Sequence, residues 1–83
     1  MSETRDAILG FLRSMLDEEF GLNDPAPAND DPLFTSGLLD SIDILSVVAT
    51  IEEQYPIRIN PMDVSMERLD SIERMADFIE KSL

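Results

Sequence analysis

The stretch Gly37-Leu38-Leu39-Asp40-Ser41-Ile42-Asp43 decides the fold, because a breaker-rich segment ends there and a long apolar-periodic run begins. Gly37 permits a tight bend, and Asp-Ser before an apolar run is typical of a helix start, where short side chains accept from free backbone amides. The same pattern returns at Asp70-Ser71-Ile72-Glu73. Two helix starts are therefore predicted, and any special role for Ser41 has to be weighed against an equal claim for Ser71.

Residues 41–54 are predicted to form an amphipathic helix. At the helical period, the apolar side chains fill one continuous arc and polar side chains fill the opposite arc. Ile42 and Ala49 fall at the edge of the buried arc, on the flank of Ser41. The residues expected to face the core are Ile44, Leu45, Val47, Val48, Ile51 and Tyr55.

Two further long helices are predicted on either side. The first covers residues 3–18, with Ser2 or Thr4 as the expected cap and Gly21 as the expected end. Its inner face consists of Ile8, Leu12, Met15 and Leu16. The last helix opens at the second Asp-Ser pair, close to a capping box, and runs to about Ser82. Its inner face consists of Ile72, Met75, Ala76, Ile79 and Leu83, with Phe78 beside them.

The connections complete the predicted fold. Residues 21–40 form a long loop rich in Pro, Asn and Asp, and its leucines and phenylalanine (Leu33, Phe34, Leu38 and Leu39) are expected to pin it to the helices. The extended piece at 57–59 has no partner strand, and 65–69 reads as one helical turn capped by Ser65. We predict an all-α four-helix bundle with three longer helices and a short third helix, forming a single domain over residues 1–83.

The composition disfavours several kinds of function. The 83 residues include no histidine and no cysteine, which removes the usual general base and the imidazole and thiolate metal ligands. A net charge of −12 disfavours nucleic acid and anionic membranes and attracts basic patches on protein partners. No apolar run approaches the roughly 20 residues of a membrane span, and no signal peptide is visible. We expect a cytoplasmic monomer without metal or intrinsic catalysis.

The surroundings of the two serines differ. Ser41 ends a long loop, and its helix has a polar face without lysine or arginine, at a position that suits a phosphate group. Ser71 follows a single turn and Leu69, where a bulky group would be obstructed. On the residues alone three interpretations stay open: a modified Ser41, a non-carrying interaction module in which Ser41 only caps a helix, and an acidic inhibitor of a basic partner.

Residues 33–43, Leu-Phe-Thr-Ser-Gly-Leu-Leu-Asp-Ser-Ile-Asp, resemble the attachment-site region of acyl and peptidyl carrier proteins. In that family the serine of an Asp-Ser-(Leu/Ile/Met) motif bears 4′-phosphopantetheine. The likeness extends to residues 51–55, 57–59 and 72–79. It implies a four-helix bundle of the acyl-carrier type and a carrier, not an enzyme, which holds an acyl or aminoacyl group as a thioester on an arm attached to Ser41.

The resemblance also implies partners and a recognition surface. The partners would be a phosphopantetheinyl transferase that takes the arm from coenzyme A, an adenylating acyl or aminoacyl ligase or a synthase, and downstream transferases. Acidic positions that such enzymes recognise, and the apolar contacts beside the arm, correspond in this sequence to Asp40, Ile42, Asp43, Ala49, Glu52 and Glu53.

The cargo is left open by the resemblance. The Gly-Leu-Leu-Asp-Ser lead-in is similar to that of free-standing aminoacyl carriers, including the D-alanyl type, and of specialised biosynthetic carriers. Fatty-acid carriers usually have an acidic residue where this chain has Ser46 and a polar residue where it has Ile44. We therefore expect an aminoacyl, short acyl or polyketide cargo rather than the main fatty-acid pool.

Overall fold

Three α-helices and one short 3-10 helix make up the regular structure of the described residues. The computed structural model describes residues 3–23 and 26–83, and this part of the chain contains no β-strand. Helix α1 spans Glu3–Phe20, α2 spans Asp43–Gln54 and α3 spans Ile72–Ser82. The all-α class predicted from the sequence is confirmed, and the extended piece at 57–59 is a loop, as expected.

The short third helix expected at residues 65–69 is not confirmed. Ser65 does cap a turn there, because its hydroxyl accepts from the Arg68 N–H at 3.2 Å. The Leu69 N–H donates to the carbonyl oxygens of Ser65 and Met66 at 3.3 and 3.2 Å. One turn gains too few hydrogen bonds to offset the order it imposes, and the segment stays a turn. A 3-10 helix, Pro61–Asp63, precedes it.

The end of α1 is closed by a glycine, as predicted. Gly21 has a φ of 69°, in the left-handed region that glycine adopts without steric cost. Its N–H donates to the Asp17 carbonyl at 3.0 Å, and the Leu22 N–H reaches the Leu16 carbonyl at 3.1 Å. This pattern satisfies the last carbonyls of the helix. Of the two expected caps at the other end, Ser2 lies outside the described residues and Thr4 lies inside α1.

One hydrophobic core joins the helices. Helix α3 packs directly against α1, and at the edge of that contact Arg5 donates to Asp77 at 2.7 Å and Glu80 at 3.2 Å. Phe11 of α1 meets Tyr55, at the end of α2, edge to face at 5.5 Å between ring centroids. The helical members of the core are Ile8, Leu12, Met15, Leu16, Ile44, Val47, Ile51, Ile72, Met75, Ala76 and Ile79.

The long connection between α1 and α2 is pinned to this core through its second half. Leu33, Phe34 and Leu39 are buried, as expected, but Leu38 is 51% exposed and does not pin the loop. Gly37 has a φ of 88°, so the chain makes the predicted tight bend there. The bend turns Leu38 outward while its neighbour Leu39 turns inward.

The first half of the connection is tied to α1 and α3 by polar contacts. Arg13 of α1 donates to the Pro27 carbonyl at 3.0 Å and to the Asn29 side chain at 2.6 Å. The Asn29 carbonyl accepts from the Glu73 N–H, in the first turn of α3, at 2.9 Å. The loop is therefore fixed to the helices at several independent points.

Fewer residues of α2 and α3 face the core than the sequence predicted. Leu45 was expected in the core but is 69% exposed, and Leu83 is 57% exposed. Val48 and Tyr55 are only partly buried. At about 100° per residue, Leu45 lies about 130° from the centre of the arc formed by the buried residues Ile44, Val47 and Ile51 of α2. Because α2 is covered on one side only, a side chain so far round the helix meets solvent.

Candidate functional site

Ser41 lies in the turn that leads into α2 and is exposed. Its hydroxyl makes no hydrogen bond with any other described residue, and the N–H groups of Ser41 and Ile42 are likewise without an acceptor there. Only its carbonyl oxygen is engaged, at 3.4 Å from the Ile44 N–H. The side chain is thus a free hydroxyl on the surface, and two of its neighbouring amide donors are free as well.

The turn around Ser41 is closed by two aspartates, which explains why the hydroxyl is not needed as a cap. The Asp43 N–H donates to the Asp40 carbonyl oxygen at 2.9 Å. In return, the Asp40 N–H donates to the Asp43 carboxylate, also at 2.9 Å. This reciprocal pair resembles a capping box. Helix α2 accordingly begins at Asp43, two residues later than predicted.

Ser71 has the role that the local pattern predicts for both serines. Its hydroxyl accepts from the Arg74 N–H at 3.1 Å, and its backbone is extended, so it is the N-cap of α3. It is 6% exposed. Ser71 also lines a cleft of about 490 Å³ together with Asp30, Glu73, Arg74 and Asp77. A substituent on its hydroxyl would displace the cap.

The four acidic residues expected at a recognition surface fall into two pairs. The carboxylates of Asp40 and Glu53 are exposed and accept no hydrogen bond from the described residues. The carboxylate of Asp43 is half-buried and holds the Asp40 N–H. Glu52 accepts from the Ile59 N–H at 2.9 Å and so anchors the loop after α2. Asp43 and Glu52 therefore also stabilise the local backbone through these hydrogen bonds, in addition to contributing negative charge.

Apolar side chains next to Ser41 form an exposed strip, which we call the apolar strip: Leu38, Ile42, Leu45 and Ala49. Ile42 is 76% exposed and Ala49 is exposed too, as expected. Leu45 was not predicted as part of this exposed surface, although it lies within about 60° of Ile42 and Ala49 on a helical wheel. A wheel centred on the buried residues would have placed Leu45 on the flank of Ser41.

Ser41 lines neither of two clefts on the described surface, of about 250 and 490 Å³. Groups of three or more metal-ligating side chains are absent from the described residues. No helix in the described part of the chain is long and apolar enough to cross a bilayer. A shallow cleft of about 250 Å³ is lined by Arg68, Arg74, Asp77, Phe78 and Lys81, and Ser41 is not part of it.

Comparison with known proteins shows the family of the chain. A family model described as the phosphopantetheine attachment site matches residues 10–79. The chain belongs to the phosphopantetheine attachment-site family. The acyl carrier protein of Thermotoga maritima is 21% identical over 80 residues, which cover 96% of each chain. No solved structure gives a significant match.

Membership of this family identifies the chain as a phosphopantetheine carrier with a covalently attached 4′-phosphopantetheine. The residues around Ser41 fit such a group. A phosphodiester needs an accessible hydroxyl and favours nearby free amide donors at the positive end of a helix. Ser41 offers the hydroxyl, and Ser41 and Ile42 offer the donors. The Ser71 hydroxyl, buried and engaged as a cap, is not accessible in this way.

Proposed function

We propose that Ser41 bears the 4′-phosphopantetheine arm and that the chain presents acyl or aminoacyl groups to partner enzymes. The observation that carries this proposal is the contrast between the two serines. The Ser41 hydroxyl is exposed and engaged by no described residue, whereas the Ser71 hydroxyl is buried and caps α3. The motif alone is equally present at both.

On this proposal the chain is a carrier and not an enzyme. A phosphopantetheinyl transferase moves the arm from coenzyme A to the Ser41 oxygen: a phosphodiester forms at serine, the pyrophosphate bond of coenzyme A breaks, and adenosine 3′,5′-bisphosphate and the hydroxyl proton leave. When bound, the arm supplies a terminal thiol that holds the cargo as a thioester. The chain itself contributes a fixed surface point and free amide donors beside the linkage. A tether of this kind keeps the cargo at high effective concentration near each enzyme in turn.

The surface beside Ser41 has the chemistry for recognising such enzymes. The apolar strip supplies desolvation energy at the centre of a contact, and the free carboxylates of Asp40 and Glu53 flank it. A net charge of −12 steers basic partner surfaces towards the molecule. We propose the transferase, an adenylating ligase or a synthase, and downstream transferases as partners of this face. That the protein is cytoplasmic, monomeric and a single domain remains a prediction.

Intact mass spectrometry tests the attachment. After incubation with a broad-specificity phosphopantetheinyl transferase and coenzyme A, the mass of the chain should rise by one arm, about 340 Da. Ser41→Ala should abolish the increase, and Ser71→Ala should retain it. Circular dichroism on each variant confirms that both are folded before the assay.

Two outcomes would contradict the proposal in different ways. A folded wild type that gains no mass would favour a non-carrying interaction module, in which the Ser41 segment only begins a helix. A mass increase that survives Ser41→Ala and disappears in folded Ser71→Ala would mean that the buried serine is the attachment residue.

A further inference from the structure

The Asp70 side chain does not cap its own helix but reaches back to the long connection. Its Oδ1 accepts from the backbone N–H groups of Phe34 at 2.8 Å and Thr35 at 3.0 Å. Its Oδ2 accepts from the Thr35 hydroxyl at 2.6 Å. The Asp70 carbonyl oxygen also accepts, from the Leu33 N–H at 2.5 Å. One residue at the start of α3 thus holds three consecutive residues of the loop.

The segment that Asp70 holds is continuous with the one that presents Ser41. Within it, the Gly37 N–H donates to the Phe34 carbonyl at 3.2 Å, and the Leu39 N–H donates to the Leu33 carbonyl at 2.9 Å. Leu39 is buried, and Asp40 and Ser41 follow it directly. Fixing residues 33–35 therefore fixes Leu39, and Leu39 fixes where the turn into α2 begins.

We propose that Asp70 is a positioning residue for attachment of the arm: its carboxylate holds the loop that presents the Ser41 hydroxyl to the transferase. This inference rests on the proposed function, because it takes Ser41 as the modified residue. It assigns different tasks to the two copies of the Asp-Ser pattern. One copy carries the hydroxyl that is modified, and the aspartate of the other copy holds the first copy in place.

The chemistry of a carboxylate suits this task. An ionised aspartate has acceptor sites on both oxygens, so it can serve two amides and a hydroxyl together. Asparagine of the same shape keeps an acceptor oxygen for the two amides and can donate to the Thr35 hydroxyl, but it lacks the negative charge, so all three bonds become weaker neutral ones. Asp70→Asn should therefore loosen residues 33–35 without removing the Arg13 and Glu73 contacts that hold the first half of the loop.

If Asp70 only stabilised the fold, its replacement would slow loading only through the small fraction of chains that unfold. A domain of this size has a folding equilibrium constant of about 10³ or more, and weakening the hydrogen bonds to one charged group lowers that constant about tenfold. More than about nine-tenths of Asp70→Asn would then still be folded. A severalfold loss of loading rate cannot come from so small an unfolded fraction.

The experiment compares Asp70→Asn with Thr35→Val, which removes only the hydroxyl contact, and with Ser71→Ala, which weakens the adjacent cap without touching the loop. For each chain, loading rates at varied chain concentration give kcat/KM for the transferase, read by intact mass. Amide hydrogen exchange by NMR on the unloaded chains reports the order of the loop at Gly37 and Leu39.

Asp70→Asn should lower kcat/KM about tenfold and speed exchange at Gly37 and Leu39 by a similar factor, the equivalent of about 1.4 kcal/mol. Thr35→Val should show a smaller change of the same kind, and Ser71→Ala should match wild type in both. Exchange in α1 should be unchanged throughout, because the effect is local.

Three results would overturn the inference. They are wild-type loading by Asp70→Asn, wild-type exchange at Leu39 in that variant, and an equal loading defect in Ser71→Ala. If Asp70→Asn does not fold, Thr35→Val decides the question by the same two measurements. A wild type that is never loaded refutes the attachment proposal itself, an outcome distinct from a defect confined to the variants.

Discussion

Asp40 and Asp43 flank Ser41 and carry the same charge, but they are not equivalent. Asp43 uses its carboxylate to hold the Asp40 N–H at 2.9 Å, at the positive end of α2. The Asp40 carboxylate is exposed and accepts nothing from the described residues. Asp43 thus helps to begin the helix, whereas the free carboxylate of Asp40 is the one we propose for recognition; the sequence alone cannot distinguish these two aspartates.

Replacing each aspartate with asparagine should separate the two roles. Asp43→Asn should lower the free energy of unfolding by about 0.5–1 kcal/mol, because it weakens the closure of the first turn. Asp40→Asn should leave that free energy within about 0.5 kcal/mol of wild type, yet slow loading at low salt by weakening the encounter with a basic partner. Urea denaturation and initial loading rates measure the two effects. Equal destabilisation by both variants would show that Asp40 is also structural.

Asp70 should make stability depend on acid pH. Burial acts to raise the pKa of Asp70, but the hydrogen bonds that its carboxylate accepts from Thr35 and Phe34 outweigh burial, and the pKa is lowered. The stabilisation is therefore complete above the unfolded-state pKa, about 3.9, and is lost as the pH falls through the folded-state value. Asp70→Asn should be less stable than wild type by about 1 kcal/mol at pH 7, and the gap should shrink below about pH 4. Urea midpoints at pH 7, 4 and 3 measure it, and a gap independent of pH would contradict this account.

Helix α2 has two apolar surfaces, and only one belongs to the core. Val47 is 0% exposed and Leu45 is 69% exposed, although they are two positions apart. The core side holds the helix in the bundle, and the other side, the apolar strip, lies next to Ser41. The helix therefore stabilises the fold through one face, and the second face is the one we propose for contact with partner proteins.

The same substitution at both positions tests this division of the helix. Val47→Asp should unfold the protein, because it places an unpaired charge in the core at a cost of several kcal/mol. Leu45→Asp should melt within a few degrees of wild type, since its side chain meets solvent. Thermal melts followed by circular dichroism at 222 nm, the helical band, compare the pair. A folded Val47→Asp protein, or an unfolded Leu45→Asp protein, would mean that the described orientation of α2 is wrong.

The helical periodicity of apolar residues predicted α1 and its inner face, because an amphipathic helix and the glycine that ends it, Gly21, depend on local sequence alone. Context also separated Ser41 from Ser71, and their burial agrees with it. The outward turn of Leu38 depends on one backbone bend. The roles of Asp70 and Glu52 depend on bonds to backbone amides far along the chain or in another segment. No local sequence pattern identifies such partners, so the sequence predicted the roles of Asp70 and Glu52 only from their charge and their position relative to a helix.

At the scale of the whole molecule, the dominant property is a net charge of −12 on a body about 30 Å across. At an ionic strength of about 10 mM the Debye length is about 30 Å, so most of the charges repel one another across the molecule. At about 150 mM it is about 8 Å, and only near neighbours interact. Salt should therefore relieve self-repulsion in the folded state and, equally, screen the attraction to basic partners.

Salt should accordingly change stability and loading in opposite directions. Raising NaCl from about 10 to about 150 mM should increase the melting temperature by about 4–8 °C, which corresponds to about 1 kcal/mol for a domain of this size. Over the same range kcat/KM for loading should fall severalfold, because electrostatic steering is screened while the folded fraction grows. KCl should act like NaCl, since screening depends on ionic strength. A melting temperature that ignores monovalent salt but rises with millimolar Ca²⁺ or Mg²⁺ would instead mean that cations bind at particular carboxylates, and the self-repulsion account would fail.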